Sequence, residues 1–166
     1  MSSWLIRAPL ADEAELLADL HLQAWAETYR GRFPQAAWGS EARDERVKMW
    51  ERICSSPRGS ARFAVAERAG QAVGIAGAGG ARDEPRPREL ELWFIYLLAR
   101  EHGSGAGQAL LDEVLGTDPA CLWVLEGNAR AIAFYERNGF VLDGARRPTA
   151  HADADADAGD EVRMLR

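Results

Sequence analysis

Eight successive apolar side chains, Leu92 to Ala99, lead within a few residues into Gly103-Ser104-Gly105-Ala106-Gly107, and this juncture limits the fold more than any other stretch. A run so short, rich in aromatic and branched residues and bounded by charge, predicts a strand buried on both faces. The glycines permit positive φ and remove Cβ atoms that would block a ligand. Gln108-Ala109-Leu110-Leu111 then opens a helix. The first N–H groups of a helix lack intrahelical partners, and its dipole is positive at that end. Strand, glycine turn and helix N-terminus together make a cradle for a phosphate group.

Spacing narrows the kind of cradle. A dinucleotide fingerprint needs Gly or Ala three residues after Gly105, where Gln108 stands, and the frame from Gly105 and Gly107 meets Leu110 instead. Glu126 does stand about where a ribose-binding acid is expected, so that reading keeps one point in its favour. Too little chain follows Leu111, however, to complete a doubly wound sheet. A nucleoside-triphosphate loop needs Lys after its last glycine, and none is present.

The flanking chain supplies further elements. Trp4 to Arg7 reads as a strand, stopped by Pro9. Asp12 and Glu15 resemble a capping arrangement for a helix on which Leu16, Leu17, Leu20 and Ala24 recur at helical spacing. His21, Trp25 and Tyr29 form an adjoining stripe, either one wall of a cleft or aromatic core. Gly31 to Pro34 ends that helix, and residues 40–55 form another, with Val47, Trp50, Ile53 and Cys54 on its buried face. Arg62 to Glu67 and Gln71 to Gly77 read as a hairpin turning at Ala69-Gly70. Residues 79–88, with two prolines and five charges, make a loop. Ala120 to Leu125 is a strand, and Asn128 is placed to cap a helix that stops at Gly139. Phe140 to Asp143 and Glu161 to Leu165 are expected to pair antiparallel. Between them, the alternating Ala and Asp of residues 150–159 predict a solvated loop, and His151, Asp153 and Asp155 are not expected to form a metal site.

Residues 91–111 resemble motif A of the GNAT family of N-acetyltransferases, in which Arg or Gln is followed, after two residues, by Gly, any residue, and Gly or Ala. Gly105 and Gly107 fill the last two places, and His102 replaces the Arg or Gln. A second family signature follows in order: Asn128, then Phe134-Tyr135, then Asn138-Gly139-Phe140. The resemblance is to a bacterial, small-molecule-type member. It implies an α+β, sandwich-like GNAT fold: a mixed central sheet of six to seven strands, splayed between strands 4 and 5 and flanked by about four helices. It further implies acetyl-CoA as co-substrate, with no metal. N–H groups from Gly103, Ser104, Gly105, Ala106, Gly107 and Gln108 would hold the pyrophosphate, and the backbone of Ile95, Tyr96 and Leu97 would pair with the pantetheine arm. An N–H near Leu97, at a bulge, would polarise the thioester carbonyl. Asn128 would contact the coenzyme and Tyr135, seven residues on and so on the same helical face, would protonate the departing thiolate.

Glu91 stands where several family members carry a catalytic glutamate. Strand alternation puts it on the face of Trp93, Ile95 and Leu97, and entry into an apolar cleft would raise its basicity. A solvated strand-end charge is the other reading. In the family, the segment after the first strand carries acceptor selectivity, which makes Trp25, Tyr29 and Trp50 candidate substrate contacts. The acceptor implied is a primary amine of a small molecule, reached by direct transfer in a ternary complex. A protein N-terminus or lysine is the alternative acceptor, and a non-catalytic acyl-CoA-binding module the alternative function.

Composition sets the outer limits. The 166 residues, 47% hydrophobic, suit one domain spanning 1–166. No apolar stretch approaches the ~20 residues that cross a bilayer, and no secretory signal is readable, so no membrane association is expected. Cys54 and Cys121 lack metal-type spacing and read as packing residues in a reduced, cytoplasmic setting. A net charge of -6 without a basic cluster argues against nucleic acid and suits a cationic amine. The oligomeric state stays open, a homodimer included.

Overall fold

The computed structural model describes residues 4–56, 59–149 and 159–166. The alternating Ala/Asp stretch, Gly159 apart, lies outside them, as do His151, Asp153 and Asp155. Seven strands form one mixed sheet: β1 (Leu5–Arg7), β2 (Arg62–Arg68), β3 (Gln71–Gly80), β4 (Leu90–Leu97), β5 (Ala120–Leu125), β6 (Val141–Pro148) and β7 (Asp160–Leu165), in spatial order β1-β2-β3-β4-β5-β7-β6. Four α-helices flank it: α1 (Ala14–Tyr29), α2 (Ser40–Ser55), α3 (Ala106–Val114) and α4 (Ala129–Arg137). The expected mixed sheet and helix count are both found.

The sheet is continuous at its start and opens at its middle. β1, β2, β3 and β4 pair antiparallel, whereas β4 and β5 run parallel and pair only from Leu90–Ala120 to Leu92–Leu122. Beyond Leu92 the two strands part, and among the described residues no strand pairs with the edge of β4 that would face β5. Unpaired strand backbone is a template for an extended partner. β7, inserted antiparallel between β5 and β6, holds the far wall of the opening.

A bulge decides what each face of β4 carries. Phe94 pairs with Gly77 and Leu92 with Ala78, so Trp93 is the extra residue. This corrects two expectations. The irregularity lies at Trp93, not near Leu97, and it breaks the alternation that would group Glu91 with Ile95 and Leu97. Glu91, opposite Gly79, shares a face with Phe94 and Tyr96. Leu97 turns to the other face, where its side chain closes on Gly74 and Gly107.

The two faces are covered by different helices. On one, α1 and α2 lay His21 and Trp50 against Phe94, and His21 also meets Tyr96 at 5.0 Å between ring centroids. On the other, Leu110 and Leu111 of α3 are fully buried, and α4 lies beside α3, tied by the Gln108 amide donating to Asn138 Oδ1 at 2.8 Å. The start of α1 differs from expectation. Glu13, not Asp12, stands at its cap, and no side chain bonds there. The Glu13 carboxylate is engaged instead by Arg7 and by the Leu10 N–H. A two-pronged Arg contact outweighs what a cap would add.

Candidate active site

The opening between β4 and β5 is the mouth of a cleft of about 410 Å³. Its walls bring together residues far apart in sequence: Ile95, Tyr96 and Leu97 of β4, Gly103, Gly105, Gly107 and Gln108 of the turn into α3, and Asn128 and Tyr135 of α4. Of the residues expected to hold a coenzyme, Ser104 and Ala106 do not line it. The Ser104 hydroxyl donates to the Glu101 carbonyl at 2.6 Å and receives the Ala106 N–H at 3.3 Å, so it shapes the turn from behind.

Local geometry explains the anion-binding character of the turn. Gly103 and Gly105 have φ of +79° and +95°, and a Cβ at either would meet no protein atom within 4 Å. Glycine is needed there for conformation, and the space above stays open. The first α-type bond of α3 runs from Ala109 N–H to Gly105 C=O at 3.1 Å. The N–H groups of Gly107 and Gln108 therefore precede the helix's own ladder and face the cleft with the positive end of its dipole. Arg130 and Arg137, on α4, line the same cleft with His102. Burial and then the Arg130 charge press the His102 imidazole below its ordinary range. Sequence reasoning missed both arginines. Their spacing, two helical turns from one face of α4, was the available signal.

Asn128 caps α4 by accepting the Ala131 N–H at 3.2 Å, and its side chain also reaches the Tyr29 hydroxyl of α1. Arg32 donates to the Gly127 carbonyl at 3.2 Å. These contacts join the end of α1 to the start of α4. Tyr135 is 8% exposed, packed edge-on against Phe134 and Phe140. Burial raises its phenol well above the ordinary tyrosine value, so the hydroxyl keeps its proton at neutral pH.

Other expected residues are elsewhere. Glu91 does not line the cleft and is 1% exposed. Its carboxylate accepts from the Arg82 backbone N–H at 2.9 Å and from Arg82 Nη2 at 2.5 Å. The carboxylate is buried and held by an N–H and by a guanidinium that reaches in from the surface, and neither the open base nor the solvated charge expected of it is found. Trp50, fully buried, donates its indole N–H to His21 Nδ1 at 3.3 Å and has no surface for a substrate. Trp25 packs with Phe33 and Leu125 in a small second core. Of the aromatic stripe on α1, Tyr29 alone reaches the cleft. Cys121 is buried outside the cleft, its thiol pushed up to about 11 by burial and then by the charges of Glu91 and Asp83. A thiol so raised stays protonated and is a poor nucleophile. Cys54 is half-buried.

The same architecture occurs in proteins already described. The model of the acetyltransferase (GNAT) family matches residues 22–140. A Mycobacterium tuberculosis protein named as a probable N-acetyltransferase is 25% identical over 151 residues, covering 84% of this chain and 80% of that one. A structure from Salmonella typhimurium with its cofactor acetyl-CoA superposes with a TM-score of 0.70 at 18% identity, over 98% of this chain and 92% of its own. An N-acetyltransferase from Thermoplasma acidophilum in complex with coenzyme A gives 0.62 at 20% identity, over 98% of both chains. At such identities the two structural likenesses are likenesses of fold.

Proposed function

We propose, for a chain that belongs to the acetyltransferase (GNAT) family, that it moves an acetyl group from acetyl-CoA to a primary amine of a small molecule, by direct transfer within a ternary complex. One observation carries the reading. The parting of β4 from β5 after Leu92 leaves unpaired backbone leading from the glycine turn to Tyr135 within a single cleft. The residues present suit the coenzyme. N–H groups of Gly107 and Gln108 face the space where its diphosphate would bind, Arg130 and Arg137 supply positive charge, and β4 from Trp93 to Leu97 offers the edge its pantetheine arm would pair with.

The residues then divide the work. The α3 N-terminus anchors and orients the thioester, which converts an encounter into a positioned reaction. A backbone N–H on the unpaired edge of β4 would be the donor that a developing oxyanion needs. Tyr135, protonated at neutral pH, supplies the proton that the leaving sulfur takes up. Direct transfer is supported by Cys121 lying outside the cleft with a raised pKa. A small acceptor is favoured by the cleft volume of about 410 Å³.

The test is calorimetry with acetyl-CoA followed by thiol release across an amine panel that includes a free-N-terminal peptide. Acetyl-CoA binding and turnover on small amines are expected. Binding with no turnover on any amine would favour a non-catalytic module, and turnover on the peptide alone would move the acceptor to protein.

A further inference from the structure

With Glu91 occupied by Arg82, the cleft still contains a carboxylate at its acceptor end. We propose that Glu161 binds the ammonium group of a small cationic amine and takes its proton. This rests on the acetyl-transfer reading above. Among the described residues, two carboxylates line the cleft, Glu101 and Glu161. Glu101 is 3% exposed, beside the glycine turn, with Arg68 Nη1 3.1 Å from its Oε2, though not aligned as a hydrogen bond. Glu161 is on β7, across the opening.

The strand register places it. Glu161 pairs with Leu125, the last residue of β5, and alternates with Val162 and Met164, both buried. Leu125 belongs to the small core of Trp25 and Phe33, against which Tyr29 and Tyr96 pack. Glu161 therefore emerges on the face of α1, the face opposite Leu97 and α3. A coenzyme arm and an amine would meet there from the two sides of the opened sheet.

A scaffold fixes the carboxylate without covering it. Arg147 Nε donates to Glu161 Oε2 at 2.7 Å, while among the described residues no hydrogen bond reaches Oε1. The Arg147 guanidinium lies 4.1 Å over the Trp123 ring, and Asp83 Oδ2 accepts from Trp123 Nε1 and Arg163 Nη1, each at 3.0 Å. Among the described residues, the charged and titratable groups that interact with Glu161 or its scaffold are Arg147, Arg163, Asp83, Tyr29 and Tyr96. Arg147 is the direct contact and holds the carboxylate in place. Tyr29 lines the cleft beside it and offers aromatic surface to a cation.

The step balances. The acceptor ammonium gives one proton to Glu161 Oε1, and its nitrogen lone pair forms the C–N bond to the acetyl carbon. The C–S bond breaks with its electron pair on sulfur, which takes the Tyr135 proton. The second nitrogen-bound proton restores the phenol, and the proton on Glu161 passes to water. The sum is ammonium plus thioester giving amide, thiol and one released proton.

The variant Glu161→Gln retains an oxygen for Arg147, so its melting temperature should match the wild type. Thiol release would be followed with tyramine, spermidine and glucosamine as probe amines. Expected for Glu161→Gln are kcat/KM lower by ~100-fold or more, loss of the acidic limb of the pH profile, and an acetyl-CoA Kd within twofold of wild type. Glu161→Asp should restore the limb at reduced kcat. Turnover on none of the three amines overturns the cationic-amine assignment. An unchanged limb in Glu161→Gln, with wild-type turnover intact, overturns the role of Glu161 and leaves acetyl transfer standing. No acetyl-CoA binding by the wild type would instead remove acetyl transfer itself.

Discussion

Replacing Gly107 by Ala should separate the demands of folding from those of the coenzyme. Gly107 is the second residue of α3, and a Cβ built there would lie 3.1 Å from Leu97 Cδ1 and 3.9 Å from Phe134. Alanine gains up to about 1 kcal/mol of helix propensity over glycine. Against that, Leu97 must give by a few tenths of an ångström, which costs on the order of 0.5–1 kcal/mol. The two nearly cancel, so the melting temperature should stay within about 4 °C of wild type. The ligand has no such compensation. The new methyl would stand in the cleft between Leu97 and the N–H groups that face the diphosphate, and losing one charge-assisted contact costs about 1.5–3 kcal/mol. Acetyl-CoA Kd, read by calorimetry, should rise by roughly 10- to 150-fold. Gly105→Ala should behave in the opposite way. Its φ of +95° strains any L-residue by about 1–2 kcal/mol, and the melting temperature should drop by roughly 2–8 °C. A Gly107→Ala protein that binds acetyl-CoA as tightly as wild type would refute the placement of the coenzyme beside α3.

Three further outcomes are expected. Tyr135→Phe should lower kcat by ~100-fold with little change in acetyl-CoA Kd, since only a hydroxyl is lost from a packed ring; kcat within twofold would assign the proton to another donor. Glu91→Gln should leave the pH–rate profile intact but cost about 1–3 kcal/mol of stability, because it weakens charge-assisted bonds to Arg82 at a buried site, and an altered acidic limb would return Glu91 to the chemistry. His102, whose pKa is lowered on folding by burial and by Arg130, binds fewer protons in the native than in the unfolded state. The stability it contributes is complete above the ordinary imidazole pKa of ~6.5 and is lost as pH falls through its lowered native value. Thermal melts in this range should show a decline that His102→Gln partly removes, and identical slopes for the two proteins would count against that environment.

Local pattern made much of the fold legible. The strand β4, the glycine turn, the Asn128 cap and the stop at Gly139 all depend on neighbours in the chain, and each is found, though β4 begins and ends two residues earlier than the apolar run from Leu92 to Ala99. The coenzyme side of the cleft was readable for the same reason, since a turn, a helix start and one strand edge are contiguous in sequence. The acceptor side was not. Trp50 and Trp25 have the composition of substrate contacts, but helix packing turned both inward.

Sequence by itself determined that a strand would enter a glycine turn at a helix N-terminus, and hence that an anion could be held there, because backbone φ and unpaired N–H groups are local properties. Which carboxylate faces the opening was decided only in the tertiary structure. A single bulged residue, Trp93, changed the face that Glu91 shares with its strand, and Arg82 then took its charge. A strand more than thirty residues beyond β5 brought Glu161 to the cleft that Glu91 was expected to line. Register and crossover are set by the balance of packing over the whole sheet, and no short window of residues contains that balance.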